Sequence, residues 1–85
     1  MQQFMRKFEQ LNGKMAKITL DHCLFGKQVS YCDSVQTIND DKRMGLVLKS
    51  QSIYVDKQHL KEFSIDGDKY TISDNRLTII INVNK

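Results

Sequence analysis

Residues 61–83 read KEFSIDGDKYTISDNRLTIIINV and carry the strongest β-sheet signal in the chain. Asp66-Gly67 suits a two-residue hairpin turn, whose twist matches that of its flanking strands. A second turn at residues 73–75 leads into RLTIIINV, where β-branched residues favour a strand and few charges make exposure an aggregation hazard. We therefore expect the last strand to lie at the centre of a sheet or in a subunit interface.

The preceding segments repeat a period of two residues. Residues 14–21 alternate apolar and polar side chains, as a half-buried strand does. Residues 27–38 do the same, with Val29, Tyr31 and Val35 on the apolar, inner face. Asp33 falls on that face too. Because an unpaired buried carboxylate is costly, we expect Asp33 to be hydrogen-bonded or to lie at a bend in the strand.

The middle of the chain predicts a turn and two short strands or one bent strand. The polar run NDDKR at residues 39–43 is typical of a turn, and MGLVLK and SIYVD follow it with strand-like composition. Gly45 interrupts the first of these two segments. A glycine there permits a bulge or a close approach by another part of the backbone.

The N-terminal segment has helical spacing. Phe4, Phe8 and Leu11 recur on one side of a helical wheel, with Met1 and Met5 beside them. Asn12-Gly13 then supplies a C-cap, because glycine takes the left-handed conformation without steric cost. We expect this helix to pack over the end of a β-barrel.

These segments together predict a mainly β fold in one domain of 85 residues. The prediction places a short N-terminal helix over residues 1–12 and a small antiparallel β-barrel or strongly curved sheet over residues 14–65. An extra C-terminal hairpin occupies residues 66–85. No repeat or linker divides the chain.

Composition indicates a folded intracellular protein. The chain is 40% hydrophobic and 27% charged with a net charge of +3, whereas disordered chains are less hydrophobic and more highly charged. Neither a membrane-length apolar run nor a signal peptide is visible, so we expect a cytoplasmic location and no membrane partner. The lack of proline, with abundant Ile, Asn, Asp and Lys, suggests a bacterial or phage source with an AT-rich genome.

Residue types that could carry metal or covalent chemistry are present without a matching pattern. Those able to bind zinc are His22, Cys23, Cys32, Asp33 and His59. Their spacing matches no zinc module, so we predict no metal and no cofactor. The two cysteines form no CxxC pair and are expected to be reduced thiols. An enzyme using either one would need a histidine brought close by folding.

Residues 52–63, SIYVDKQHLKEF, point instead to recognition. Aromatic and basic side chains alternate here, and base stacking with phosphate contacts is a common way to bind single-stranded nucleic acid. The candidate residues are Tyr54, Lys57, His59 and Lys61, assisted by Lys42 and Arg43. The alternative interpretation packs Tyr54 in the core and leaves the lysines solvated.

Residues 4–65 resemble the Sm-like family of small β-barrels, which includes the bacterial Hfq RNA chaperones. VSYCDSVQTI is similar to the family's first motif, with Asp33 as the aspartate at the RNA-binding loop. IYVDKQHLKEF is similar to the second, with Lys57 or His59 as the basic contact and Leu60 as the aliphatic anchor. The resemblance implies a five-stranded barrel that assembles by pairing edge strands and binds RNA.

Two functions follow as expectations. The first is a non-enzymatic, homo-oligomeric Sm-like module that binds RNA or another nucleic acid. The second is a protein-interaction module, for example a phage or mobile-element accessory protein that binds a host protein through an exposed strand.

Overall fold

The computed structural model describes residues 2–48 and 51–83. Within these ranges the chain is mainly β, as the sequence predicts. In chain order the elements are α1 (Gln2–Glu9), β1 (Ala16–His22), β2 (Gly26–Cys32), β3 (Gln36–Asn39), β4 (Arg43–Leu48), β5 (Gln51–Asp56), a 3-10 helix (Lys57–His59), β6 (Glu62–Asp66), β7 (Lys69–Ser73) and β8 (Leu77–Val83).

The strands form two antiparallel sheets. The larger has five strands in the order β2-β1-β8-β7-β6, and the smaller has three in the order β3-β4-β5. β8 lies between β1 and β7, so of the two positions predicted for the last strand, the centre of a sheet is confirmed. Residues 66–83, predicted as an extra hairpin, therefore supply middle strands of the larger sheet. The predicted hairpin joins β6 to β7, but its two-residue turn is Gly67-Asp68, one residue later than predicted, because Asp66 still pairs with Lys69. Gly67 has a φ of 61°.

One apolar cluster joins the inner faces of the two sheets. From the larger sheet it takes alternate residues of β1, β7 and β8, and from the smaller sheet residues of β4 and β5. Its buried members are Phe8, Leu11, Ala16, Ile18, Val35, Met44, Leu46, Leu48, Val55, Ile72, Ile79 and Ile81. Burial of apolar side chains on this scale is the main stabilising contribution to the fold. Among the described strands, no hydrogen-bonded pairing closes the two sheets into a barrel.

Helix α1 ends at Glu9, earlier than the predicted end at residue 12. Phe8 and Leu11 are fully buried in the shared core, so the helical segment packs as expected. Gly13 has a φ of 84°, and its N–H donates to the Val35 carbonyl at 2.8 Å. Predictions for Met1 and for the side chains of Phe4 and Met5 fall outside what the structure describes. No helix in the described ranges is long and apolar enough to cross a membrane.

Strand β2 faces opposite to the prediction. Its partner β1 sets the register, with Thr19 opposite Val29 and Lys17 opposite Tyr31, and those β1 residues point away from the core. Val29 and Tyr31 are consequently 49% and 74% exposed. Apolar alternation defines two faces of a strand, but only the pairing register decides which face is inside.

Of the expectations for Asp33, the bend is confirmed, whereas the inner-face position is wrong. The residue lies in a bend just after β2 and is exposed, not on the inner face of a strand. An exposed carboxylate is hydrated, so it needs none of the hydrogen-bond partners that a buried one would require.

The segment around Gly45 forms two separate strands, β4 and β5, one of the two predicted alternatives. Gly45 is directly opposite Tyr54. A Cβ atom at Gly45 would overlap the Ile53 carbonyl oxygen and lie 2.5 Å from the Tyr54 Cα. The glycine is therefore required for close backbone approach, as the sequence suggested.

Candidate functional site

A cleft lies where one edge of the smaller sheet meets the turn between β7 and β8. Its volume is about 710 Å³. It is lined by Asp40, Asp41, Lys42, Arg43, Tyr54, Asp56, Gln58, Asp74 and Arg76. Three separate segments of the chain therefore contribute to it: the turn before β4, the end of β5 with the 3-10 helix, and the β7–β8 turn.

Asp40 organises the turn at one side of the cleft. Its carboxylate accepts the backbone N–H groups of Lys42 and Arg43 at 2.9 and 2.7 Å. It also pairs with the Arg43 guanidinium at 3.2 Å. These backbone hydrogen bonds, followed by the contact with Arg43, lower the pKa of the Asp40 carboxyl below its ordinary value.

Arg43 and Tyr54 form a stacked pair on the outer face of the smaller sheet. The guanidinium carbon lies 4.9 Å from the Tyr54 ring centre, within cation–π range. Contact with Tyr54, and then the Asp40 carboxylate, raises the pKa of Arg43. Tyr54 is 43% exposed, so the interpretation that packs it in the core is wrong.

Asp74 holds the two sheets together at the base of the cleft. Its carboxylate accepts the N–H of Asp56, from the smaller sheet, at 3.1 Å. It also accepts the N–H groups of Arg76 and Leu77, both at 2.8 Å. Burial by itself would raise the pKa of this carboxyl, but these three donors and the positive charge of Arg76 hold the pKa below its ordinary value. Asp74 is thus an ionised structural residue.

The cleft as a whole is not basic. Its lining contains four aspartates against two arginines and one lysine. A groove that binds a phosphate backbone normally has a clear excess of positive charge. Three of the four carboxylates, those of Asp40, Asp56 and Asp74, already accept backbone N–H donors.

The structure brings together only part of the predicted nucleic-acid site. Lys42, Arg43 and Tyr54 line the cleft. The Lys57 ammonium donates to the Asn39 side chain at 2.6 Å and to the Asp40 carbonyl at 2.5 Å, so it supports the turn before β4.

The other predicted contacts lie outside the cleft lining. His59 Nε2 lies 4.0 Å from a carboxylate oxygen of Asp56. Lys61 is exposed, and its backbone N–H donates to the Ser73 carbonyl at 2.8 Å. Asp33 lies just beyond the end of β2.

Sequence reasoning missed Asp56, Gln58, Asp74 and Arg76 as lining residues. They belong to turns and strand ends that meet only after the sheets pack. The one available signal is Asp74 in the turn before β8, because an aspartate in such a position often accepts backbone N–H groups from the next residues.

A second surface lies at the β1–β2 hairpin. Leu24 and Phe25 at its tip are 79% and 82% exposed, more than any other large apolar side chains in the described residues. The tip has a defined shape: His22 Nδ1 accepts the Leu24 N–H at 3.0 Å, and the His22 and Phe25 ring centres are 4.8 Å apart. We refer to Leu24 and Phe25 as the hairpin tip.

The hairpin tip adjoins two further features. A depression of about 260 Å³ beside it is lined by Leu20, His22, Phe25, Gly26, Gln28, Ile53 and Leu77. β2 leads away from the tip as an edge strand of the larger sheet, carrying the exposed Val29 and Tyr31. Exposed apolar side chains beside an open strand edge are typical of a protein-binding surface.

The cysteines lie apart from the cleft lining. Cys23 is exposed, Cys32 is half-buried, and both are free thiols. The Cys32 thiol donates to the Ser34 carbonyl at 3.2 Å. Among the described residues, no group of three His, Cys, Asp or Glu side chains is placed to hold a metal ion.

Comparison of the chain with protein-family models, curated proteins and solved structures finds no match. Function is therefore inferred from the cleft and the β1–β2 hairpin.

Proposed function

We propose that this chain is a non-enzymatic protein-interaction module that binds another polypeptide through the β1–β2 hairpin. The observation that carries the proposal is the exposure of Leu24 and Phe25 at 79% and 82%. Leaving two large apolar side chains in water forgoes roughly 1.5–3 kcal/mol of burial free energy for each. A partner that covers them recovers that free energy.

The surroundings of the hairpin tip support this function. The depression beside the tip has an apolar floor that includes Leu20, Ile53 and Leu77. The edge of β2 offers backbone hydrogen-bond groups next to it, so a partner strand could add to the larger sheet. Apolar anchors give such a complex its affinity, and main-chain pairing gives it orientation.

The test is affinity capture with the full chain followed by identification of the bound protein. The double variant L24D/F25D should lose a partner that the wild type retains in stoichiometric amount. The control is Tyr54→Ser, which removes an exposed aromatic from the cleft and should leave capture unchanged. Equal capture by wild type and L24D/F25D would contradict the proposal, provided both have the same circular dichroism spectrum.

An Sm-like RNA-binding module is the second candidate. Its support is the stack of Arg43 on Tyr54 at the rim of an open cleft, with Lys42 beside it. A base could stack on the exposed Tyr54 ring, and the cations could contact phosphates. The excess of carboxylates in the cleft weighs against this function, as does the engagement of Lys57 by Asn39 and Asp40.

Salt dependence of RNA affinity tests the second candidate. If Lys57 and Lys61 bind phosphates of a single strand, the K57A/K61A variant should reduce the slope of log affinity against log salt by roughly 0.7 for each phosphate no longer neutralised. Lys27→Ala, in strand β2, is the control for the general effect of removing a positive charge. An unchanged slope, or no measurable affinity of the wild type for RNA, would contradict the RNA-binding function.

A further inference from the structure

The two sheets have four edge strands among the described elements, β2 and β6 in the larger sheet and β3 and β5 in the smaller. At β3, the Thr37 N–H donates to the Asn12 side chain at 2.8 Å. At β5, the Asp56 N–H donates to Asp74 at 3.1 Å. Intramolecular contacts therefore already occupy part of each edge of the smaller sheet. Native proteins cover their edges in this way against unwanted pairing.

Edge β6 is protected by charge. If two copies paired antiparallel about Ser64, each Glu62 would lie opposite the Asp66 of the other copy. Like charges directly opposite each other in a sheet are destabilising. Two β6 strands therefore do not pair favourably about Ser64. β2 is the remaining edge strand.

The sequence of β2 restricts how it could pair with a second copy. Directly opposite residues in an antiparallel sheet have side chains on the same face. The two-fold axis must therefore lie between one residue of β2 and the same residue in the other copy. Three registers keep most of the strand Gly26–Cys32 paired: those centred on Gln28, Val29 or Ser30.

Only the register centred on Ser30 matches the charges. It places Lys27 of each copy opposite Asp33 of the other, the first residue of the bend that follows β2. It also places Val29 opposite Tyr31, an aliphatic–aromatic pair of the kind that stabilises sheets. The register centred on Val29 would set Asp33 opposite Phe25, and that centred on Gln28 would set it opposite Cys23.

We propose that β2 pairs antiparallel with β2 of a second copy in the register centred on Ser30, forming a two-fold dimer with one continuous sheet. This inference rests on the proposed function, because it names the partner that the open β2 edge takes. The contact is self-complementary, as a two-fold interface requires. The Lys27–Asp33 pair and the Val29–Tyr31 pair each occur twice in the interface.

The dimer accounts for two features of the hairpin. Val29 and Tyr31, exposed in the single chain, each gain a neighbour on the outer face of the joined sheet. The hairpin tips lie at opposite ends of the paired strands, because antiparallel pairing places the start of one β2 beside the end of the other. The dimer therefore presents two tips, and a partner with two matching sites would bind with avidity.

The test exchanges the charges of the predicted ion pair. Lys27→Asp sets two carboxylates opposite each other in both pairs, and Asp33→Lys sets two ammonium groups opposite each other. Each variant alone should dimerise on the order of 30-fold more weakly than the wild type, from two attractive pairs made repulsive.

In a mixed dimer, formed in an equimolar mixture of the two variants, one copy carries aspartate at both positions 27 and 33, and the other carries lysine at both. Each copy's position 27 lies opposite position 33 of the other, so both pairs are again attractive. The mixture should therefore form a mixed dimer with an affinity close to that of the wild type.

Light scattering on a sizing column measures the masses, with one variant carrying an affinity tag so that mixed dimers can be captured. Because Lys27 lies opposite Asp21 of its own chain, Lys27→Asp is also checked for thermal stability. The matched control is Lys69→Asp, an exposed lysine of β7 away from the predicted contact, which should dimerise like the wild type.

The outcomes separate this inference from the proposed function. Weak self-association of each variant and recovery in the mixture support the β2 dimer. A monomeric wild type at all concentrations, or a mixture no tighter than the separate variants, overturns it. Loss of a captured protein in L24D/F25D would still support the proposed function if the β2 dimer failed. If the chain self-associates but captures no protein that depends on Leu24 and Phe25, the proposed function fails and the β2 dimer stands.

Discussion

Asp74 shows how one residue can stabilise the packing of two sheets. Its carboxylate accepts backbone N–H groups from both sides of the cleft, including the Asp56 N–H of the smaller sheet. The residue is only 8% exposed, so without its carboxylate water could not serve as acceptor for all three N–H groups. A buried donor left unsatisfied costs about 1–3 kcal/mol.

We expect Asp74→Ala to lower the free energy of unfolding by about 2–4 kcal/mol, because it removes the acceptor for three backbone donors. Urea denaturation at neutral pH measures the change. Asp41→Ala is the matched control: Asp41 lines the same cleft but is exposed, so its replacement should change stability by less than about 0.5 kcal/mol. Equal effects of the two substitutions would contradict the structural role of Asp74.

Acid should abolish the charge-dependent part of this stabilisation. The pKa of Asp74 is lowered in the folded chain, so its contribution is complete above the unfolded pKa of about 3.9. It is lost as pH falls through the folded pKa. The stability difference between wild type and Asp74→Asn should therefore shrink below about pH 3.9. A constant difference through acid would show that charge plays no part.

A further prediction concerns the effect of a side chain at Gly45 on stability. Gly45→Ala should destabilise the fold by roughly 3 kcal/mol, because its Cβ would overlap backbone atoms of Ile53 and Tyr54 that cannot rotate away. Gly67→Ala has open space around its Cβ but a φ of 61°, so it should cost only about 1–2 kcal/mol. Thermal denaturation compares the two variants. A milder effect at Gly45 would contradict the close approach.

At the scale of elements, β8 is expected to be the most stable strand. It is hydrogen-bonded to β1 on one side and to β7 on the other, and Ile79 and Ile81 are fully buried. Its amides should exchange with solvent only through near-global unfolding, whereas those of β6 should exchange through local opening. Hydrogen exchange followed residue by residue measures the order. Faster exchange in β8 than in β6 would contradict the sheet order.

The elements also show how far the sequence could predict the fold. The β6–β7 turn and the central position of β8 followed from turn chemistry and strand composition. The orientation of β2 did not, because Val29 and Tyr31 make its solvent face the more apolar one. Hydrophobic alternation assumes that the apolar face is inside, and an edge strand with exposed apolar residues violates that assumption.

The cleft was less predictable than the strands. Lys42, Arg43 and Tyr54 were identified from residue type, but Asp74 joins them across the two sheets from a turn distant in sequence. Its position depends on how the sheets pack, which no local pattern encodes. The engagement of Lys57 by Asn39 likewise depends on the turn before β4 meeting the end of β5.

At the scale of the whole molecule, charge and apolar surface are arranged differently on the two candidate surfaces. The cleft gathers four carboxylates, three of which accept internal backbone donors, together with cations that they partly neutralise. The β1–β2 hairpin instead presents apolar side chains and an open strand edge. This distribution favours binding of a polypeptide at the hairpin over binding of a polyanion at the cleft.

Hydrogen–deuterium exchange of the wild-type chain, compared between dilute and concentrated protein, tests whether the β1–β2 hairpin is the contact surface. If the hairpin is the contact surface and β2 pairs with a second copy, protection should increase with concentration in residues 24–33 and stay constant in residues 40–43 and 54–58. An increase confined to the residues of the cleft, or no increase anywhere in the described chain, would show that the β1–β2 hairpin is not a contact surface between copies.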